Sequence, residues 1–162
     1  GLFLEASLAN NIVVSNLMAA SKNGFIKREK TENIAKEYIS MLNIKATGVR
    51  QKTINLSGGN QQKLILARWL LCHPKVFIVD EPTHGIDVGA KSEIYDLLKS
   101  LAAKGMAILL ISSELPEILT LSDRIIVLHN GEITAELDRA NATEEEIMHY
   151  ASGTKHMFEK IY

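Results

Sequence analysis

The chain has 162 residues, enough for one domain with a hydrophobic core but not comfortably for two. Its 46% hydrophobic and 23% charged residues are those of an ordinary globular protein, and 18 basic against 19 acidic residues leave a formal charge of -1. That balance holds no basic excess of the kind a nucleic-acid partner draws on. No apolar run reaches the ~18 residues needed to span a bilayer, the longest being Met106 to Ile111.

In chain order, Leu8, Ile12, Val13 and Leu17 recur at helical spacing and predict an amphipathic helix over 5–21, closed by Ser21-Lys22-Asn23-Gly24. A second helix is expected from an N-cap at Thr31, with Ile34, Tyr38, Met41 and Leu42 on one face. The cluster 27–30 reads as a solvated loop, and 45–55 as loop without a period. After Gly59 a helix apolar almost all round, from Leu64 to Leu71, is expected to be buried until Pro74 stops it.

Val76–Val79 then reads as a short buried strand, 89–103 as a helix facing inward through Ile94, Leu97, Leu98 and Leu101, and Ala107–Ile111 as another buried strand. A short helix at 115–121 and a strand over Ile125–Leu128 follow. Asn130-Gly131 predicts a hairpin turn into Ile133–Leu137, and Thr143 with Glu146 forms a capping box for a last helix. The pattern is that of an α/β protein with a parallel sheet covered on both faces and an N-terminal helical subdomain over residues 1–55, the remainder, 56–162, forming the core.

Cys72, the single cysteine, cannot form an internal disulfide, which fits a reducing compartment, and its place in Leu70-Leu71-Cys72 predicts a buried, inert thiol. The histidines (His73, His84, His129, His149 and His156) show no metal-ligand spacing. No secretory signal is visible, and the opening Gly-Leu-Phe-Leu leads us to expect an excised piece of a longer protein.

Two segments carry chemistry. In Leu56-Ser57-Gly58-Gly59-Asn60-Gln61-Gln62, paired glycines let a backbone approach an anion, and a helix start offers free N–H groups to it, with the Ser57 hydroxyl as a further donor. Alone, Ser-Gly-Gly also fits a turn that caps a core helix. In Val76-Phe77-Ile78-Val79-Asp80-Glu81-Pro82-Thr83, two carboxylates stand at the carboxyl end of a strand, the edge where open α/β sheets bind ligands. Adjacent carboxylates repel, so a Mg²⁺ held by Asp80, with Glu81 left to orient or deprotonate water, resolves the placement; a solvated acidic turn is the alternative.

Together, Leu-Ser-Gly-Gly, a helix and an apolar strand ending in Asp-Glu-Pro-Thr resemble the ABC ATPase family, a branch of the P-loop NTPase fold. His84-Gly85-Ile86-Asp87 is similar to its D-loop, and Ser122-Asp123-Arg124 before a strand ending near Asn-Gly-Glu fits its later pattern. Asn60 in place of the usual Gln, and Gly-Ile-Asp-Val-Gly-Ala-Lys at 85–91, resemble the ribose-, galactose- or xylose-type sugar importers, specifically the second of their tandem ATPase domains.

The resemblance implies that Ser57, Gly58, Gly59 and Asn60 touch the γ-phosphate of ATP bound to a partner ATPase domain. It also implies that Asp80 serves Mg²⁺, that Glu81 is the general base and that Asp87 communicates across the interface. Implied partners are a second ATPase domain, transmembrane permease subunits met through the helical subdomain (an exposed patch at Phe3 or Leu4 would fit) and, indirectly, a periplasmic or extracellular sugar-binding protein, with no nucleic acid. The implied place is the cytoplasmic face of a bacterial inner or plasma membrane, held peripherally.

The sequence departs from the family's pattern twice. No glycine is followed by lysine, so the phosphate-binding loop G-x-x-x-x-G-K-[S/T] is absent and this chain alone is expected to be inactive. Ser113 stands where the family usually has its switch histidine, and a serine donates a hydrogen bond but cannot become cationic. Rival readings are an ABC protein acting on ribosomes or DNA, and a degenerate regulatory domain that binds nucleotide without turning it over.

Overall fold

The computed structural model describes residues 1–154, so His156 lies outside the described residues. The chain divides into two compact units, Gly1–Leu109 and a second that begins at Leu110.

The first unit opens with a helical layer. Helix α1 (Leu8–Val13) is much shorter than the predicted 5–21, because Asn16 interrupts it and caps a separate 3₁₀ turn at Leu17–Ala20. Strands β1 (Ser21–Lys22) and β2 (Phe25–Ile26) form a small antiparallel hairpin through Asn23 and Gly24, both at positive φ. Helix α2 (Arg28–Met41) starts earlier than expected: Lys27 is its N-cap, and Thr31 is a buried helical residue rather than a cap. Its inward face is Thr31, Ala35, Tyr38 and then Leu42, while Met41 is exposed.

Arg68 ties the start of the chain to α3 (Gly58–Leu70). Its Nε donates to the Asn11 carbonyl at 2.8 Å and its guanidinium lies 5.7 Å from the centre of the Phe3 ring. Asn11 in turn donates to the Phe3 carbonyl at 2.8 Å and to the Thr53 hydroxyl at 2.9 Å. Burial withdraws these polar groups from water, so each needs the partner it has.

Helix α3 buries Leu64, Leu66, Ala67 and Leu70, but Trp69 is exposed, so the helix is not enclosed all round. Beyond its end His73 takes a left-handed φ of 49°, the chain swings away, and Cys72 is exposed with its Sγ 3.7 Å from the Ser15 carbonyl oxygen. The buried thiol expected from its apolar neighbours is therefore corrected: the residue lies past the last buried turn.

Strand β3 (Val76–Asp80), helix α4 (Val88–Ala103) and strand β4 (Ala107–Ile111) make a strand–helix–strand unit whose strands pair in a parallel sheet, the Ala107 N–H donating to the Lys75 carbonyl at 3.2 Å. Helix α4 buries Ile94, Leu98 and Leu101. The two strands alternate in how far their side chains are covered within this chain. In β3, Phe77 and Val79 are buried while Val76 (57% exposed) and Ile78 (61%) face outward, and no residue of β4 is fully buried. An unbroken apolar run conceals the two-residue alternation that decides which face is covered.

In the second unit, α5 (Leu115–Leu121) keeps the predicted bounds, with Pro116 in its first turn where its missing N–H costs nothing. Strands β5 (Arg124–His129) and β6 (Glu132–Asp138) form the predicted antiparallel hairpin, turned by Asn130 (φ 50°) and Gly131 (φ 81°). A register shift beside Val127 sets Thr134 inward, where its hydroxyl meets the Val127 carbonyl at 3.3 Å and the Tyr150 carbonyl at 3.1 Å. Helix α6 (Glu144–Ala151) is capped by Thr143, whose hydroxyl accepts from the Glu146 N–H at 3.2 Å. Ile147 and Tyr150 pack on Ile125, Val127, Ala135 and Leu137.

Candidate functional site

The site begins at the first turn of α3. Ser57 is the N-cap by position, with extended backbone, and its carbonyl accepts the first helical bond from Gln61 N–H at 2.9 Å. Its hydroxyl caps nothing, which removes the reading of Ser-Gly-Gly as a self-capping turn. The opening N–H groups of the helix, at Gly58, Gly59 and Asn60, are thus left for another acceptor, and the helix dipole favours a negative one.

The two glycines have a second task. A Cβ built on Gly58 would lie 3.7 Å from Ile86 Cγ2, an ordinary contact, but one on Gly59 would lie 2.5 Å from the Ala90 Cβ. Gly59 is buried against α4, whereas Ser57 and Gly58 are exposed. Both glycines are expected from sequence to serve an anion; Gly59 also lets α3 and the first turn of α4 touch. The Ser57–Asn60 segment and the 84–87 turn are thereby side by side.

Asp87 is the N-cap of α4, its carboxylate accepting from the Ala90 N–H at 2.9 Å. The turn before it is made by Gly85 at φ 72°, by the His84 N–H donating to the Glu81 carbonyl at 3.2 Å, and by buried Pro82 and Thr83. Asp80 ends β3 on its exposed face, and Glu81 is half-buried with a left-handed φ of 46°. That region costs a residue with a Cβ about 1–2 kcal/mol, and such strain gathers at functional sites. An outward carboxylate on a strand end suits Mg²⁺, which takes one or two protein carboxylates and fills its shell with water and phosphate oxygens.

Sequence reasoning missed a set of residues that hold this corner together. Lys63 in α3 is only 3% exposed, yet its ammonium donates to the Asn43 carbonyl at 3.1 Å and pairs with Glu93 of α4. Lys45 approaches the other Glu93 oxygen at 3.9 Å. The Lys63 hydrogen bond, more than any other influence, holds the Glu93 carboxyl below its usual pKa. The missed signal was a lysine one residue ahead of an apolar run, on the inward side of a helix: such a charge is buried only when paired.

Ser113 lies in the second unit, exposed, after β4. The Glu114 N–H donates to the Ser112 hydroxyl at 3.0 Å, a bond that spans Ser113 just before α5.

A family model described as "ABC transporter" matches residues 2–84, just over half of the chain. The chain belongs to the ABC transporter family. It is 51% identical over 153 residues to the ribose import ATP-binding protein RbsA of Oceanobacillus iheyensis, covering 94% of this chain and 31% of that protein. The protein of the same name from Halalkalibacterium halodurans is 46% identical over 153 residues, with 94% and 31% covered. The chain therefore spans about a third of the length of these relatives of the ABC family. Among solved structures it is similar to a dimeric post-hydrolysis state of the ATP-binding cassette MJ0796 bound to ADP and Pi, with a TM-score of 0.71 at 25% identity over 86% of this chain and 59% of that one.

Proposed function

We propose that the chain is the carboxyl-terminal part of an ATP-binding subunit that energises import of a monosaccharide, from the second of two tandem ATPase domains. The observation that carries this is the packing of the α3 start on the α4 start, Gly58 by Ile86 and Gly59 by Ala90, in a chain whose relatives are named for ribose import. Such packing makes one rigid corner out of a phosphate-facing helix start and the turn that follows the paired carboxylates.

In this reading the Ser57 hydroxyl and the free N–H groups of Gly58 and Gly59 face the γ-phosphate of ATP carried by the partner ATPase domain. A helix N-terminus stabilises phosphate only when the halves close, so bound ATP favours the closed pair. Asp80 would hold Mg²⁺, which supplies charge neutralisation at the phosphates. Glu81 orients a water and takes its proton, and its fixed backbone keeps that carboxylate where it is needed. Asp87 lies at the domain interface, and Ser113 donates a hydrogen bond where other members carry a histidine.

The exposed side chains of Phe3, Leu4 and Ile54 offer an apolar surface to transmembrane permease subunits, and a sugar-binding protein would act through those subunits. No helix among the described residues is long and apolar enough to cross a membrane, so attachment at the cytoplasmic face would be through such partners.

The experiment is ATP hydrolysis by the complete subunit with its permease, against the same subunit carrying Glu81→Gln. A loss of about 10²–10⁴ in kcat is expected from removal of a general base. Unchanged turnover would favour a regulatory nucleotide-binding role. The isolated chain, without the glycine–lysine loop, is expected to show no turnover above background.

A further inference from the structure

The hydrogen bonds around Asn60 have a direction that can be worked out. The Lys45 backbone N–H lies 2.9 Å from Asn60 Oδ1, and an N–H can only donate, so the amide oxygen must be the atom facing it. The amide nitrogen is thereby turned to the Ser57 hydroxyl, 2.8 Å away. That nitrogen also only donates, which obliges Ser57 Oγ to accept. A hydroxyl has one hydrogen, and here it is left for a group outside the chain's own contacts with Asn60.

We propose that the Asn60 side chain is a positioning group, which sets the Ser57 hydroxyl as a donor toward phosphate and does not itself bind phosphate. This rests on the reading of Ser57–Gly59 as the phosphate-facing segment. It replaces the direct contact expected for Asn60 from sequence.

The length of the side chain matters. Asn60 and Ser57 are one helical turn apart, and the short asparagine folds back across that turn. The other end of the chain of bonds is anchored as well. Asn43, at φ 49°, turns the segment leaving α2, and its carbonyl is held by buried Lys63, while the Lys45 ammonium reaches Glu93. The Lys45 N–H is thus fixed between α3 and α4, and it fixes the amide.

The test is a double-mutant cycle in the complete ATP-binding subunit, reading kcat/KM for ATP in wild type, Ser57→Ala, Asn60→Ala and the double variant. Asn60→Ala is expected to lose activity on the order of tenfold, the equivalent of about one hydrogen bond. The double variant should be no worse than Ser57→Ala alone. Additive losses would overturn the proposal, since Asn60 would then touch phosphate on its own account. So would a silent Asn60→Ala beside a damaging Ser57→Ala. If Ser57→Ala is itself silent, the phosphate-facing reading fails and the proposal goes with it. A second readout is independent of activity: hydrogen exchange at the Lys45 amide should quicken in Asn60→Ala but not in Ser57→Ala. A Lys45 amide that exchanges freely in the wild type would also overturn the assignment.

Discussion

Gly59 and Ala90 meet so closely that the Cβ of any larger residue at 59 would fall 2.5 Å from the Cβ of Ala90. Nothing flexible lies between them: both atoms belong to the first turns of packed helices, so one helix must shift to admit a methyl group. The glycine that reads as a phosphate cradle in the sequence is also a spacer in the fold.

Gly59→Ala is therefore expected to destabilise the chain by about 1–3 kcal/mol, the usual cost of overpacking. Ala90→Gly in the same chain should recover part of that loss by removing the opposing methyl. Urea unfolding of the two single variants and the double one measures it. A double variant as unstable as the sum of the singles would show that the contact is not the cause.

Glu81 is held at a φ of 46°, where a Cβ is disfavoured. Replacing it by Gly or by Ala removes the same carboxylate, so the two variants differ chiefly in tolerance of that φ. Glu81→Gly should be more stable than Glu81→Ala by about 1 kcal/mol, by denaturant midpoint. Equal midpoints would mean that the backbone carries no strain there.

Hydrogen bonds from Arg50 and then Arg28 hold the Glu32 carboxyl down, from the usual 4.5 to about 2. Its folded value lies below its unfolded one, so its contribution is present above pH ~4.5 and disappears as pH falls toward ~2. Glu32→Gln should be less stable than wild type at neutral pH, and the two unfolding curves should converge by about pH 2. A constant gap across that window would assign the effect to packing, not to charge.

The buried ammonium of Lys63 is paired with a half-exposed carboxylate. Glu93→Ala leaves that charge with one carbonyl partner and should cost about 1–3 kcal/mol. Lys63→Met, which removes the buried charge and keeps the volume, should cost less. The reverse order in thermal or urea unfolding would count against the pair as the link between α3 and α4.

Much of the site was legible because its residues are punctuation. Ser57 and the glycines start a helix, Asp80-Glu81-Pro82 ends a strand, and Asn130-Gly131 turns a hairpin; these follow from backbone chemistry that the sequence states directly. The early helices were read less well. Asn16 looks like any polar residue, yet its side chain accepts the Ala19 N–H at 3.3 Å and breaks the helix that periodicity extends to 21. Thr31 has the residue type that favours a cap, yet tertiary packing buries it in α2 instead. Lys63 and Glu93 were invisible because a pairing across thirty positions leaves no local trace. The directed bonds of Asn60 depend on Lys45 for the same reason.

The alternation along β3 separates two duties on one short strand. Phe77 and Val79 anchor it inward, while Val76, Ile78 and Asp80 share the opposite side. In the longer subunit proposed for this chain, the apolar neighbours Val76 and Ile78 would therefore lie beside the Asp80 carboxylate on whatever surface meets that face, while the inner rank holds the strand to its own helix layer.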